Sequence, residues 1–196
     1  MRWRPDSIIL YAFDLMHLSG RDLRQQALAE RRAILKALLG SDEESRIQFS
    51  DEFHGDSVAF FKACADKGLE GIVSKQALVP YRSGRTKTWL KTKCFTESTF
   101  VVVGTDRDRK TGALRALLAH QGSGGLNFAG AAFIALGNEA RTEFLAEVER
   151  LTTSWSAFKS SRLTDVKWCT PKLRVRVKHL AGSKTLRHAT VRGLAQ

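Results

Sequence analysis

The sequence predicts an α+β protein made of two consecutive domains, residues 1–95 and residues 96–196. A length of 196 residues suits two small domains. Hydrophobic residues make up 43% of the chain and charged residues 27%, which is typical of globular proteins and excludes wholesale disorder. Strand-like and helix-like segments alternate in the first part, whereas short strand-like segments dominate the second.

The first part is predicted to contain three strands and two helices. Apolar residues at helical spacing from Leu28 to Leu39 predict a helix that ends at Gly40. Asp56 is a suitable N-cap for a second helix, which ends near Gly68. The predicted strands, of which the first is expected to be buried, are Ser7–Phe13, Arg46–Ser50 and Gly71–Lys75. This alternation predicts helices layered against strands.

The second part is predicted to form a small β-barrel. One helix, Glu139–Leu151, interrupts segments that are separated by glycine-containing turns. The predicted strands are Thr99–Gly104, Leu114–His120, Gly130–Leu136 and Leu173–Lys178. Short strands with one helix in about 100 residues favour a barrel such as the OB-fold. The domain boundary is placed near Lys93–Thr96, where the basic segment ends and a new strand begins.

The charge distribution predicts a polyanionic partner. The chain carries 32 Lys and Arg residues against 20 Asp and Glu residues, a net charge of +12. From Lys172 to Arg192 there are seven basic residues and no acidic residue, a pattern that favours binding to DNA phosphates. The alternative is a solvated charged face. The candidate DNA-binding side chains are Arg174, Arg176, Lys178 and Lys184.

Other patterns make membrane insertion, secretion and zinc binding unexpected. Apolar runs such as Phe128–Leu136 are much shorter than the roughly 20 residues that span a bilayer. Arg4-Pro5-Asp6 interrupts the start that a signal peptide would need. The three cysteines are widely spaced and the five histidines lack ligand spacing, so we expect buried thiols in a reducing cytoplasm and no structural zinc.

The segment Glu70–Lys75 is the first candidate for chemistry. On a strand, Glu70, Ile72 and Ser74 share one side, and Lys75 points to the other. The glycine after Glu70 permits close approach of a ligand, and a carboxylate there is able to hold a divalent cation. The alternative is an ordinary Glu–Lys pair on an edge strand.

A dense group of cations in Tyr81–Lys93 is the second candidate. In an extended segment, Lys91 and Lys93 lie on one face together with Trp89. Two ammonium groups at one point repel each other unless an anion lies between them, which suits a polyphosphate. The alternative is a basic linker in solvent. Phe13 is a candidate for stacking on a purine, or is a core residue.

Taken in order, these segments resemble nucleotidyltransferase motifs III, IV and V of ATP-dependent DNA ligases. The residues that carry the resemblance are Phe13-Asp14-Leu15 with Leu18-Ser19-Gly20-Arg21-Asp22-Leu23, Glu70-Gly71-Ile72-Val73-Ser74-Lys75, and Trp89-Leu90-Lys91-Thr92-Lys93. Tyr81-Arg82-Ser83-Gly84-Arg85 and Leu186-Arg187-His188 resemble the ligase modules of bacterial end-joining proteins in particular. The resemblance covers the later part of an adenylation domain, followed by an OB-fold DNA-binding domain that ends in motif VI.

The resemblance implies ATP and Mg²⁺ (or Mn²⁺) as cofactors and gives a role to each matching residue. It implies that Phe13 stacks on adenine and that Lys75 supports the pocket. It implies that Lys91 and Lys93 contact the α-phosphate, that Glu70 serves the metal, and that Arg187 orients the pyrophosphate leaving group. Phosphoryl-type transfer depends on cations placed around a developing negative charge, which agrees with this set.

The sequence departs from the family pattern at two places. No Lys is followed by x-Asp-Gly, the family's nucleophile motif, and Arg187-His188-Ala189 stands where the family commonly has Arg-His-Pro. We therefore expect the C-terminal part of a DNA ligase that seals nicks in repair or end joining, through lysyl-AMP and DNA-adenylate, but that does not adenylate itself alone.

The expected partners are nicked duplex DNA and a separate polypeptide that supplies the first half of the adenylation domain. The expected location is the bacterial cytoplasm, at the nucleoid. Two alternatives are a non-catalytic OB-type DNA-binding fragment and an RNA ligase or capping-type relative. The Ser83-Gly84-Arg85 stretch favours DNA end joining over the RNA alternative.

Overall fold

The structure is a computed structural model that describes residues 8–42, 44–122, 124–156, 158, 165–183 and 185–195. The chain forms two compact units. Unit 1 consists of Met1–Lys62 and Ile72–Thr92, and unit 2 consists of Ala63–Gly71 and Lys93–Gln196.

Unit 1 is built from short strands and helices. Its elements, some of whose ends belong to unit 2, are β1 (Leu10–Ala12), β2 (His17–Leu18), β3 (Arg21–Asp22), α1 (Leu28–Leu39), β4 (Ile47–Phe49), α2 (Ser57–Asp66), β5 (Gly71–Lys75) and β6 (Trp89–Lys93). The strands form three two-stranded sheets: β1 with β4, β2 with β3, and β5 with β6. The β1–β4 pair is parallel.

Both helices that were predicted for the first part of the chain are confirmed. Helix α1 ends at Gly40, whose backbone has φ = 66°, a conformation that favours glycine. Asp56 Oδ1 accepts hydrogen bonds from the backbone N–H groups of Val58 and Ala59, at 2.8 and 3.3 Å. Asp56 therefore caps α2, because its side chain satisfies donors that have no partner within the helix.

The prediction of a buried first strand is wrong. Only Leu10–Ala12 forms a strand among the described residues of that segment, and Ser7 lies outside them. Leu10 is 59% exposed and Tyr11 is 58% exposed. The apolar run predicted burial, but the single strand paired with β1 covers neither side chain, because a strand's neighbour in a sheet pairs with its backbone.

Unit 2 is a closed barrel with the strand topology of an OB-fold. Its elements are β7 (Phe95–Arg107), β8 (Leu114–Gly122), β9 (Gly125–Ile134), α3 (Asn138–Arg150), β10 (Lys167–Trp168), β11 (Arg174–Leu180) and β12 (Thr190–Leu194). The order β7-β11-β12-β9-β8 closes by pairing of β7 with β8, and β10 adds to β7. Strands β9 and β12 pair in parallel, and the other pairs are antiparallel. The predicted α+β fold is confirmed.

The barrel core is apolar and closely packed. Val102, Val175, Val177 and Val191 have no exposed surface, and neither has Phe144 of α3. On β11, Val175 and Val177 point inward, and the alternate residues Arg174 and Arg176 are exposed. Period-two alternation therefore sets which side chains enter the core.

The three thiols are buried, as the sequence predicts. Cys64, Cys94 and Cys169 are unpaired cysteines, and the last two are 1% exposed. Burial raises the pKa of the Cys169 thiol to about 11, because the thiolate is poorly solvated there. No helix in the described part of the chain is both long enough and apolar enough to cross a membrane.

Candidate active site

Phe13 lies on a rigid piece of backbone in unit 1. Its carbonyl oxygen accepts a 2.8 Å hydrogen bond from Arg32 Nη1. The next residue, Asp14, accepts two 2.8 Å hydrogen bonds from the guanidinium of Arg31, whose side chain has no exposed surface. The Phe13 ring itself is 46% exposed. The chain therefore holds an aromatic ring at the surface on an ion-paired support.

Lys75 contacts two aromatic rings in unit 1. Its Nζ lies 3.9 Å from the centroid of the Phe13 ring and 4.4 Å from that of Trp89. Both distances are within the range of cation–π attraction. Partial burial lowers the pKa of Lys75, because desolvation disfavours its charged form. Two predicted site residues, Phe13 and Lys75, are thus in contact.

Strands β5 and β6 hold Lys75 and Lys91. The backbone N–H of Gln76 donates a 2.9 Å hydrogen bond to the carbonyl oxygen of Thr88. This bond joins the two strands beside Lys75 and Trp89. Lys91 lies two residues beyond Trp89 on β6, so the two side chains share a face, and Lys91 is exposed. The condition for this shared face, an extended backbone, is met at Trp89–Lys93, whereas the residues before Trp89 form a loop.

The loop before β6 forms a basic cavity of about 440 Å³ within unit 1. Its lining residues are Tyr81, Arg82, Gly84, Arg85, Thr86, Trp89, Leu90 and Lys91. Tyr81 packs edge-on against Trp89, with ring centroids 6.0 Å apart. Arg82 and Arg85 were not among the predicted site residues, although the density of cations in this segment is a signal that points to them.

The remaining motif residues meet in unit 2. Arg187 Nη1 donates to Glu70 Oε2 at 3.2 Å, and Lys93 Nζ lies 2.8 Å from His188 Nε2. The turn after β11 supports this arrangement, because Gly182 has φ = 73° and a Cβ at this position would collide with Gly68 O. Sequence reasoning missed His188 as a partner of Lys93, since the two residues are distant in the chain.

Three of the candidate DNA-binding residues lie on β11. Arg174 and Arg176 are exposed, and Lys178 lies over the Phe95 ring, with its Nζ 4.8 Å from the centroid. All three alternate with inward-pointing residues, so they share one face of the strand. Lys184 lies outside the described residues.

Glu70 is the candidate metal ligand. Within the described ranges there is no group of three or more His, Cys, Asp or Glu side chains that would form a metal cage. Mg²⁺ commonly binds proteins through one or two carboxylates, with substrate phosphates and water completing its coordination. A partly exposed carboxylate such as Glu70 fits that mode and does not fit a structural metal site.

Parts of the chain are similar to known DNA ligase sequences. Residues 4–93 match the family described as ATP dependent DNA ligase domain. The multifunctional non-homologous end joining protein LigD of Pseudomonas aeruginosa is 40% identical over 101 residues, which are 52% of this chain and 12% of that protein. A probable DNA ligase of Beutenbergia cavernae is 31% identical over 154 residues, or 74% of this chain and 30% of that protein.

The fold is also found among solved structures. A Lig E DNA ligase is 15% identical and aligns with a TM-score of 0.55, covering 94% of this chain and 62% of that chain. The similarity shows a shared fold. The chain spans less than a third of the two curated relatives named above.

Proposed function

We propose that the chain takes part in ATP-dependent sealing of nicks in duplex DNA, because residues 4–93 match the family described as ATP dependent DNA ligase domain. The reaction would proceed through lysyl-AMP and DNA-adenylate, in repair or end joining at the nucleoid of the bacterial cytoplasm. The family match carries this proposal, because it includes Phe13, Glu70, Lys75, Lys91 and Lys93. The Beutenbergia cavernae relative is described as a probable DNA ligase and the Pseudomonas aeruginosa relative as an end-joining protein, which favours DNA over the RNA ligase or capping alternative.

Unit 1 would bind the nucleotide. We assign adenine stacking to Phe13, whose ring is exposed, and contact with the α-phosphate to Lys91. Lys75 would support the base-binding side of this site, since its ammonium already contacts Phe13. Stacking of a base on an aromatic ring contributes about 1–3 kcal/mol.

For Glu70, Lys93 and Arg187 we propose roles at the metal ion and the phosphates. We assign Mg²⁺ or Mn²⁺ to Glu70, with the nucleotide phosphates completing the coordination. A bound divalent ion supplies charge stabilisation for phosphoryl transfer. Lys93 would contact the α-phosphate and Arg187 the pyrophosphate, and the Arg187–Glu70 contact keeps this cation beside the carboxylate.

The nucleophilic lysine would come from a polypeptide segment that carries Lys-x-Asp-Gly, because no such motif occurs in these 196 residues. We propose that a separate polypeptide supplies it together with the first half of the adenylation domain. The exposed apolar residues Leu10, Tyr11 and Ile47 of the β1–β4 sheet support this proposal, since parallel strands are normally covered on both faces.

Nick sealing by complementation tests the proposal. The chain is mixed with the part of the Pseudomonas aeruginosa relative that precedes its matching region, together with ATP, Mg²⁺ and a 5′-phosphorylated nicked duplex. Sealing is expected from the mixture and from neither component alone. Lys91→Ala in this chain is expected to lower the sealing rate by at least about 100-fold, because phosphoryl-transfer electrostatics depend on it.

Lys87→Ala is the matched control. Lys87 is an exposed cation of the same loop, and its loss is expected to change sealing less than about twofold. Covalent labelling of this chain alone by radioactive AMP would contradict the proposal, and so would sealing that does not depend on Lys91.

A DNA-binding role for unit 2 without catalysis is the second candidate, favoured by the exposed cations on β11. Under this alternative, neutralising Arg174, Arg176 and Lys178 together reduces the slope of log affinity against log salt by about 2–3, since each phosphate contact contributes about 0.9. The double variant Glu70→Ala and Lys91→Ala then leaves DNA affinity unchanged. The ligase proposal requires in addition that Lys91→Ala abolish sealing.

A further inference from the structure

The ammonium of Lys75 lies at the junction of two aromatic rings, at 3.9 Å from the Phe13 centroid and 4.4 Å from the Trp89 centroid. We propose that Lys75 is a positioning residue for the adenine base: it holds one face of Phe13 and leaves the opposite face for stacking. This inference rests on the proposed nucleotide site and deepens it, since it concerns what recognises the base rather than the phosphates.

The geometry leaves one face of Phe13 accessible. The Phe13 and Trp89 centroids are 6.1 Å apart with an interplanar angle of 66°. Together with the two ammonium distances, this separation places Trp89 on the same side of the Phe13 ring as Lys75. Neither of these two neighbours covers the opposite face, and Phe13 is 46% exposed.

Different parts of the structure hold Lys75 and Phe13 in place. Phe13 is fixed through its carbonyl by Arg32, whereas Lys75 is fixed by the pairing of β5 with β6. Within the described part of the chain, no carboxylate lies within ion-pair distance of the Lys75 ammonium. Its contacts with the two rings connect β5 and β6 to the segment that follows β1.

A cation on one face of an aromatic ring also changes the charge distribution on the opposite face. The π-system of Phe13 is drawn toward the ammonium, which leaves the opposite face less negative. An electron-rich purine then stacks on that face with less repulsion between π-clouds. Lys75 thus acts twice, by fixing the ring and by polarising it, and in neither case does it touch the base.

The test compares binding of two ligands to the 196-residue chain by isothermal titration calorimetry. ATP reports the base and the phosphates, whereas inorganic triphosphate reports the phosphates alone. Lys75→Met keeps the length of the side chain and removes the charge, so it is expected to weaken ATP binding about five- to tenfold. Its effect on triphosphate binding is expected to be within twofold, and Lys75→Arg is expected to retain ATP affinity within twofold.

Two controls separate positioning from a general loss of charge or fold. Lys87→Met removes an exposed cation from the same unit and is expected to leave the ATP-to-triphosphate affinity ratio unchanged. In a Phe13→Leu background, Lys75→Met is expected to have no further effect on ATP binding, because the ring on which it acts is gone. If Lys75→Met does not fold by circular dichroism, Lys75→Gln replaces it.

The outcomes distinguish this inference from the proposed function. If the unsubstituted chain prefers ATP to triphosphate and Lys75→Met keeps that preference, Lys75 has no positioning role and the proposed function stands. Equal weakening of both ligands would assign Lys75 to the phosphates and overturn the inference. If the unsubstituted chain binds ATP no better than triphosphate, the adenine site itself is wrong and both proposals fail.

Discussion

The two units differ in how many neighbours their strands have. In unit 2 the strands close into a barrel, so every described strand except β10 has at least two neighbours. Among the described residues of unit 1, the strands form three separate pairs, and each strand has one neighbour. A closed barrel removes exposed strand edges, whereas a two-stranded sheet is marginally stable by itself.

The two units also differ in what they bury. The fully buried side chains of unit 2 are apolar, such as Leu118 and Phe144, whereas the largest one in unit 1 is Arg31. Several large apolar side chains of unit 1, including Leu10 and Leu78, are more than half exposed. Burial of apolar area therefore stabilises unit 2, whereas an ion-paired arginine organises unit 1 around Phe13.

Loss of the Arg31 guanidinium is expected to have the largest effect. Arg31→Met leaves the carboxylate of Asp14 buried without its partner and should destabilise unit 1 by about 3–5 kcal/mol. A unit with this little apolar core would then be unfolded. Urea titration followed by limited proteolysis measures the change: residues 8–62 should be cleaved at once, while the barrel fragment persists.

Arg150→Met is the control for this prediction. Arg150 pairs with Glu147 on the exposed surface of α3, and its loss should leave both unfolding transitions in place. If Arg31→Met leaves unit 1 as resistant to protease as before, the ion pair does not organise that unit and the comparison fails.

A smaller effect is expected from a change in the barrel core. Phe144→Leu removes part of a fully buried ring and should lower the free energy of unfolding of unit 2 by about 1–2 kcal/mol. The urea midpoint of the barrel transition measures it. Leu145→Ala, at an adjacent exposed position of α3, should shift that midpoint much less. Equal shifts would show that α3 is not a core element.

The smallest effect is expected at the thiols. Burial raises the pKa of Cys94 and that of Cys169, so little thiolate is present at pH 8, and reactivity should increase as the pH approaches the raised values. Alkylation with iodoacetamide, followed by mass spectrometry, should be slow in the native chain and fast in urea. Rapid native alkylation at Cys169 would show that the barrel opens readily.

Much of the fold could be predicted because local patterns agree with it. The helical spacing before Gly40 and the cap at Asp56 set α1 and α2, since these signals act within a few residues of the chain. Strand β12 was not predicted, although Val191 is fully buried, because only its pairing with β9 and β11 completes a barrel. Strand β9 begins at Gly125, earlier than predicted, for the same reason.

The local sequence pattern is enough to give the order of the candidate residues and the faces of those on strands, because alternation on β5 and β6 assigns the sides of Lys75 and Lys91. Only the tertiary structure decided which of them touch. The Lys75 ammonium on Phe13 and the Arg187–Glu70 pair join residues 62 and 117 positions apart. Such contacts depend on how separate elements pack, and periodicity within one element contains no information about its partner.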